Sequence, residues 1–293
     1  MNALTLVEPM APSLNEPAPA NDAPHPSAHH HTTAPLAGTT PFDALTDLPS
    51  ISLEALAEHA ERLTRVDRKY VVPVEDAPEV LAAVRPDAVA LEIEGRRSFR
   101  YSSTYFDSED LRSFHDGGRS RRRRFKVRTR SYLDTGAHFL EVKTRGARGT
   151  TVKTRCAMTD PITGALGPAE IAFVSHTLTD HGIVGVDAAQ LLPTLTVTYT
   201  RRTLAFLSDG SRTTIDTDLT WHTGGSAIEL PGLAVFETKA GSTPTGVDRT
   251  LWRRGHRPVR LSKYGAGLAA THPDLPHLKW HRTLVNPLLA AAS

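Results

Sequence analysis

The sequence predicts a mainly β fold of the α+β kind, a closed antiparallel barrel of about eight strands enclosing a tunnel, with helices packed outside. Three observations predict it. Nine segments alternate apolar and polar residues with period two and are dense in Val, Thr, Tyr and Phe. Only four segments carry helical periodicity. Glycine-containing connections at Thr135-Gly136 and Gly146–Gly149 join neighbouring strand segments as hairpins.

Residues 1–48 are rich in Pro, Ala, Thr, Asn and His without sustained periodicity, and read as a disordered tail that buries too little apolar surface to offset the entropy of ordering. His29, His30 and His31 within it read as a solvated low-complexity feature or an expression remnant rather than a metal site. The folded domain is expected over 49–270, with a C-terminal tail over 271–293. Ser52 is a plausible N-cap for a first helix, in which Leu53, Leu56, Ala57, Ala60 and Leu63 recur at helical spacing. A second helix fits 77–84, with Pro78 in its first turn and Pro86 past its end. A third fits 168–180 and stops at Gly182, and a short fourth fits 247–254, closed by Gly255. The strand segments are 65–72, 98–106, 122–132, 138–145, 150–157, 195–206, 212–219, 233–239 and 259–264.

Hydrophobic residues make up 39% of the 293 and charged residues 23%, as in globular proteins with a sizeable core. Lys plus Arg number 34 against 32 Asp plus Glu, a net charge of +2, so the overall balance points to no anionic partner and only the distribution of charge can. Cys156 is the only cysteine, which excludes an intramolecular disulfide framework and a multi-thiolate zinc site. The N-terminus has no basic start or apolar stretch of a signal peptide, and no apolar run approaches the roughly 20 residues that span a bilayer. A reducing, cytoplasmic setting is expected, with any membrane tether supplied by a partner membrane protein.

In a strand, residues i, i+2 and i+4 share a face. The segment 119–130, RSRRRRFKVRTR, holds eight cations in twelve residues and no acid, and as a strand puts Arg122, Arg124, Lys126, Arg128 and Arg130 on one side. Such a row repels itself unless an anion lies against it. FLEVKTR (139–145) turns Glu141, Lys143 and Arg145 one way, TTVKTR (150–155) pairs Lys153 with Arg155, and Arg212 is in phase with Asp216 and Asp218. An acid stands two residues before a lysine three times, at Asp67/Lys69, Glu141/Lys143 and Glu237/Lys239. The bland reading is that each charged face is the solvated side of a sheet. A barrel of about eight strands offers another, since its interior is wide enough for an extended ligand. Guanidinium forks, lysine point charges and a few carboxylates able to hold Mg²⁺ or Mn²⁺ match a phosphate chain better than a sugar or an acyl group.

The ordered series RVDRKY (65–70), STYFD (103–107), KVRTRSY (126–132), FLEVK (139–143), VKTR (152–155), YTRRTLAF (199–206), TIDTDL (214–219), FETK (236–239) and LSKY (261–264) resembles the VTC domain in its bacterial form, the polyphosphate polymerase domain of vacuolar transporter chaperone complexes. The resemblance covers about residues 50–268. It implies a triphosphate tunnel metalloenzyme fold and transfer of the ATP γ-phosphate to a growing polyphosphate with Mn²⁺ or Mg²⁺. It also implies a catalytic phosphate-binding set of Lys69, Arg128, Arg130, Lys143, Lys153, Arg201, Lys239 and Lys263. Around these, Arg119, Arg124, Lys126, Arg155 and Arg260 are substrate-binding candidates, and Glu237 and Glu141 are metal-ligand candidates. Two departures stand out: Arg65 replaces the first acid of the superfamily's acid-x-acid-x-Lys motif, which argues against a simple triphosphatase, and Arg260 stands where the eukaryotic pattern has lysine.

His115 reads as a loop or strand-edge residue, Gly117-Gly118 as a turn, and Trp221, Trp252 and Trp280 as packing residues. Two other functions stay open: a non-catalytic phosphate-chain sensor that regulates a partner, and nucleic-acid binding through 119–130. The second is disfavoured, because the aromatic neighbours that stack bases are scarce there.

Overall fold

The computed structural model describes residues 41–60, 66–146, 150–162 and 164–285. The His29–His31 triplet, Arg65 and the turn residues 147–149 lie outside the described residues. The elements run β1 (Ser50–Ile51), α1 (Leu53–Ala60), β2 (Val66–Pro73), α2 (Ala77–Val84), β3 (Ala88–Leu91), β4 (Phe99–Asp107), α3 (Arg112–Gly118), β5 (Phe125–Tyr132), β6 (Ala137–Arg145), β7 (Thr151–Met158), α4 (Pro168–Asp180), β8 (Leu192–Phe206), β9 (Ser211–Thr223), β10 (Ser226–Glu229), β11 (Leu233–Ala240), α5 (Gly246–Arg253) and α6 (Lys263–Thr271). Two helical turns, Leu278–Trp280 and His281–Thr283, follow.

Eight strands form one antiparallel path in the order β2-β11-β9-β8-β4-β5-β6-β7. β3 joins β8, β1 joins β3 in parallel, and β10 joins β9. The expected closure does not occur: among the described residues β2 and β7, the two ends of the path, do not pair. The free edge of β2 is taken at one point by an irregular segment, where Val259 N–H donates to Lys69 O at 2.7 Å. That segment, expected as a strand over 259–264, makes no ladder. Ser262 instead accepts from Gly265 N–H and caps α6, so Lys263 opens a helix.

Parity holds along the central strands. Phe125, Val127, Leu140 and Val142 pack under Val174 and Leu178 of α4, while Tyr70, Val72, Ile215 and Phe236 pack with α2 and α5. The opposite face holds the charge. On β9 the phase changes at Asp218, a bulge residue with φ 55° that points to solvent, so Asp216 shares a side with Leu219 and Trp221 but not with Asp218. α6 packs against Leu195, Val197, Leu219 and Trp221, residues in phase with Tyr199 and Arg201. One helix therefore fills an apolar end of the charged face instead of lying outside the sheet.

Residues on both flanks of the expected domain join the core. Phe42, Leu45 and Leu48 pack with α2, and Trp280 and Leu284 pack with α6. Among the described residues no helix is long and apolar enough to cross a membrane.

Candidate functional site: a cationic face organised by three carboxylates

Rows of cross-strand partners set the site. Glu141 on β6 faces Arg128 on β5 and Arg155 on β7, and the next row places Lys126, Lys143 and Lys153 side by side. Like charges placed directly opposite one another destabilise a sheet, so this row is built at a cost. On β11, Glu237 pairs with Lys69 of β2, and Lys239 faces Arg212 of β9. Arg201 of β8 lies across from Asp216 of β9.

Each of three buried or nearly buried carboxylates is held between two cations. Glu141 accepts from Arg128 Nε at 2.8 Å, and Lys153 Nζ lies 3.6 Å from its other oxygen. Asp216 accepts from Arg201 through Nε at 2.6 Å and a terminal nitrogen at 2.7 Å, and also from Lys263. Glu237 takes Lys69 at 3.0 Å and Lys239 on the same oxygen, Oε1. Burial works to raise the pKa of all three, but the neighbouring cations outweigh it. Arg201 and Lys263 bring Asp216 down to about 2, and Glu141 and Glu237 are held well below the usual carboxylate range.

Cations outnumber these acids. Among the described residues Lys143 has no hydrogen-bond or ion-pair partner, and its pKa falls well below the usual value because of Arg128 first, then burial and Arg130. Arg130 donates to Tyr199 Oη at 3.2 Å and lies over the ring of Tyr101, which Arg201 also covers. Arg128 reaches Tyr105 Oη at 3.1 Å. Arg155 stacks on Phe139. Lys126 donates to Ser262 Oγ at 2.8 Å, and burial with surrounding cations pushes it down to about 7.

The structure thus gathers Lys69, Lys126, Arg128, Arg130, Lys143, Lys153, Arg155, Arg201, Lys239, Lys263, Glu141 and Glu237 on one face. The Arg-rich segment divides. β5 begins at Phe125, so Arg122 and Arg124 are not in the row: Arg121, Arg122 and Arg123 are exposed, and Arg124 folds back to donate to Arg121 O at 2.8 Å. Arg119 is exposed at the end of α3 and Arg260 is exposed ahead of α6. His115 and Gly117-Gly118, read as loop and turn, belong to α3. Trp221 and Trp280 are core residues, as read, and Trp252 packs against the core while donating to Tyr70 Oη at 3.0 Å.

The charge pattern of the sequence marks Asp216 only by its phase and does not mark Tyr101, Tyr105 and Tyr199 as site residues. Their spacing, in phase with Ser103 or Arg201, was the available signal.

A family model, the VTC domain, matches residues 64–272. The chain belongs to the VTC domain family. The match ends before the two helical turns at Leu278–Trp280 and His281–Thr283, so Trp280 lies outside the matched residues. No curated protein matches the chain. Similar solved structures include a Hippeastrum protein described as a putative adenylyl cyclase with a dominant triphosphatase activity, at 13% identity over 73% of this chain and 99% of that chain, TM-score 0.43. Another is a Pyrococcus horikoshii protein at 12% identity over 66% and 88%, TM-score 0.36. A third is a putative adenylate cyclase from Vibrio parahaemolyticus, at 14% identity over 71% and 86%, TM-score 0.34. These likenesses are loose.

Among the described residues no three metal-ligating side chains cluster. A hard divalent ion bound to a phosphate chain needs only one or two protein carboxylates, the phosphates supplying further oxygens. Glu237 fits that role, since both lysines crowd Oε1 and its side chain keeps 15% exposure. Glu141, fully buried between Arg128 and Lys153, fits the role of a counter-ion better.

Proposed function

We propose that this VTC domain is a divalent-metal-dependent polyphosphate polymerase that transfers the γ-phosphoryl group of ATP to the end of a polyphosphate chain, with the cationic face as a tunnel for that chain. The observation that carries the reading is the surplus of inward cations over three carboxylates that are already neutralised. Among the described residues Lys126, Arg130 and Lys143 have no ion-pair acid of their own, so a polyanion would supply the missing charge.

Catalysis on this reading is positioning and charge neutralisation. Arg128, Arg130 and Arg201, with rings and carboxylates fixing their planes, would orient phosphate oxygens. Lys69, Lys143, Lys153, Lys239 and Lys263 would offset charge as the bond from the γ-phosphorus to the β-phosphate oxygen breaks and the bond to the acceptor's terminal oxygen forms. ADP leaves with the electron pair of the broken bond, and no covalent enzyme intermediate is needed. Mn²⁺ or Mg²⁺, held by Glu237, would add electrostatic stabilisation of the bridging oxygens.

Incubating the protein with ATP and Mn²⁺ should give long polyphosphate with ADP in matching amounts. Orthophosphate with no polymer would indicate a hydrolase instead. A second reading, a non-catalytic phosphate-chain sensor, is favoured by one observation: Glu141, Asp216 and Glu237 each already have two cation partners. Binding without turnover would support it. A cytoplasmic setting and a membrane-protein partner belong to the same proposal.

A further inference from the structure

The segment after the VTC match brings a lysine to the charged face. Leu278 and Trp280 pack so closely on α3 and α6 that a methyl group at Gly118 would overlap Leu278, and one at Gly265 would overlap the Trp280 ring. Thr283 Oγ1 donates to Arg260 O at 3.0 Å, which fixes the segment beside the approach to α6. Lys279, between the two anchors, donates to Gly117 O.

Four other cations converge here. Lys126 reaches Ser262, two residues after Arg260. Arg124 precedes Phe125, whose cross-strand partner is Thr144, so Arg145 comes alongside. None of Arg124, Lys126, Arg145, Arg260 and Lys279 has a carboxylate partner among the described residues, in contrast to the three acid-centred groups deeper in the face. Their mutual repulsion is felt: burial, then Arg124, Arg260 and Arg145, lowers the Lys279 pKa, and Lys279 is the leading charge acting on Lys126.

We infer that Lys279, Arg145, Arg124 and Arg260 form a second phosphate site next to Lys126, at the end of the cationic face, which takes the part of a long polyphosphate chain lying beyond the three phosphates held among Lys126, Arg130, Lys143 and the carboxylate-centred groups. The inference rests on the polyphosphate reading and adds to it a division between a short-chain site and a long-chain extension. Continuity argues for a chain rather than a membrane surface, because Lys126 alternates with Arg128 and Arg130 along one strand face and is too deep for a flat bilayer to reach.

The test measures affinity of the full chain for tripolyphosphate and for a long polyphosphate, in the wild type and in Lys279→Ala, Arg145→Ala and Lys279→Arg. Each alanine variant should weaken long-chain binding about five- to tenfold and leave tripolyphosphate binding unchanged, while Lys279→Arg keeps both. Arg145 is exposed, so its variant reads binding without disturbing the fold. Equal losses for both ligands, or no loss for either, would overturn the extension while leaving the central site standing. Binding to phosphatidylserine vesicles that the alanine variants lose, with long-chain affinity intact, would overturn it in favour of a membrane. Wild-type protein that binds neither phosphate would sink both the extension and the reading beneath it.

Discussion

Arg201 and Asp216 meet as a fork on a fork: Nε lies 2.6 Å from Oδ1 and a terminal nitrogen 2.7 Å from Oδ2, both partners being largely or fully buried. Lys263 shares the carboxylate, so one acid on β9 anchors a strand residue and the first residue of α6. Such an arrangement sets two donors at a fixed separation before any ligand arrives.

Asp216→Asn should therefore leave two cations without their counter-ion and lower stability by about 3 to 5 kcal/mol, measured by denaturant unfolding. The wild-type pH dependence has a matching sign. The folded pKa, about 2, lies below the unfolded value, so Asp216 stabilises fully above that unfolded value and its contribution is lost as pH falls through about 2. An Asn variant as stable as the wild type at neutral pH would contradict this.

Glu237→Gln should keep the fold and abolish metal-dependent turnover, because an amide is a far weaker ligand for a hard divalent cation. ADP release across a Mn²⁺ titration measures it. The variant also frees Lys69 and Lys239 from their shared oxygen, so tripolyphosphate binding without metal should persist or strengthen. Unchanged turnover would remove Glu237 from the ligand role.

Lys126 offers a proton count. Its folded pKa of about 7 lies below that of a free lysine, so the unfolded chain binds more protons between the two values and this group makes the empty protein more stable as pH rises across that window. An anion seated against it raises its pKa again. At about pH 8, tripolyphosphate binding should take up more protons in the wild type than in Lys126→Met, read by calorimetry in buffers of different ionisation enthalpy. Equal uptake in both would contradict a lysine held near neutrality in the site.

Tyr264→Phe tests how α6 is placed. Its hydroxyl donates to Asp107, which also accepts from Ser113 N–H at 2.8 Å and Phe114 N–H at 2.9 Å, so one buried carboxylate ties the start of α3 to α6. Removing the donor should cost about 1 to 3 kcal/mol and raise the KM for ATP through Lys263, the neighbouring residue. A loss of stability with kinetics unchanged would confine Tyr264 to the fold.

Much of the site was legible because strand parity is a local rule. Arg128, Arg130, Glu141, Lys143, Lys153 and Glu237 sit where alternation puts them, and hydrophobic partners such as Val127 and Val142 turn the other way. What failed was non-local or depended on a single dihedral. The bulge at Asp218 breaks the phase of β9, which alternation alone cannot announce. Arg122 and Arg124 have the spacing of a strand but lie ahead of β5, in a turn that Arg124 closes on Arg121. Lys263 opens a helix where alternation predicts a strand, because the cap at Ser262 competes with the β pattern around it. Lys279 falls in the expected C-terminal tail, whose docking depends on Gly118 and Gly265, distant in sequence, leaving room for Leu278 and Trp280.

Thermal unfolding with tripolyphosphate tests whether this face exists to hold a phosphate chain. A ligand that binds only the folded state and relieves the repulsion among Lys126, Arg130 and Lys143 should stabilise the protein by about 2.7 kcal/mol at a hundredfold excess over its dissociation constant, with the melting temperature still rising as ligand is added. A shift no larger than that from sodium chloride at equal ionic strength would contradict the claim and leave the cations as a charged surface without a ligand.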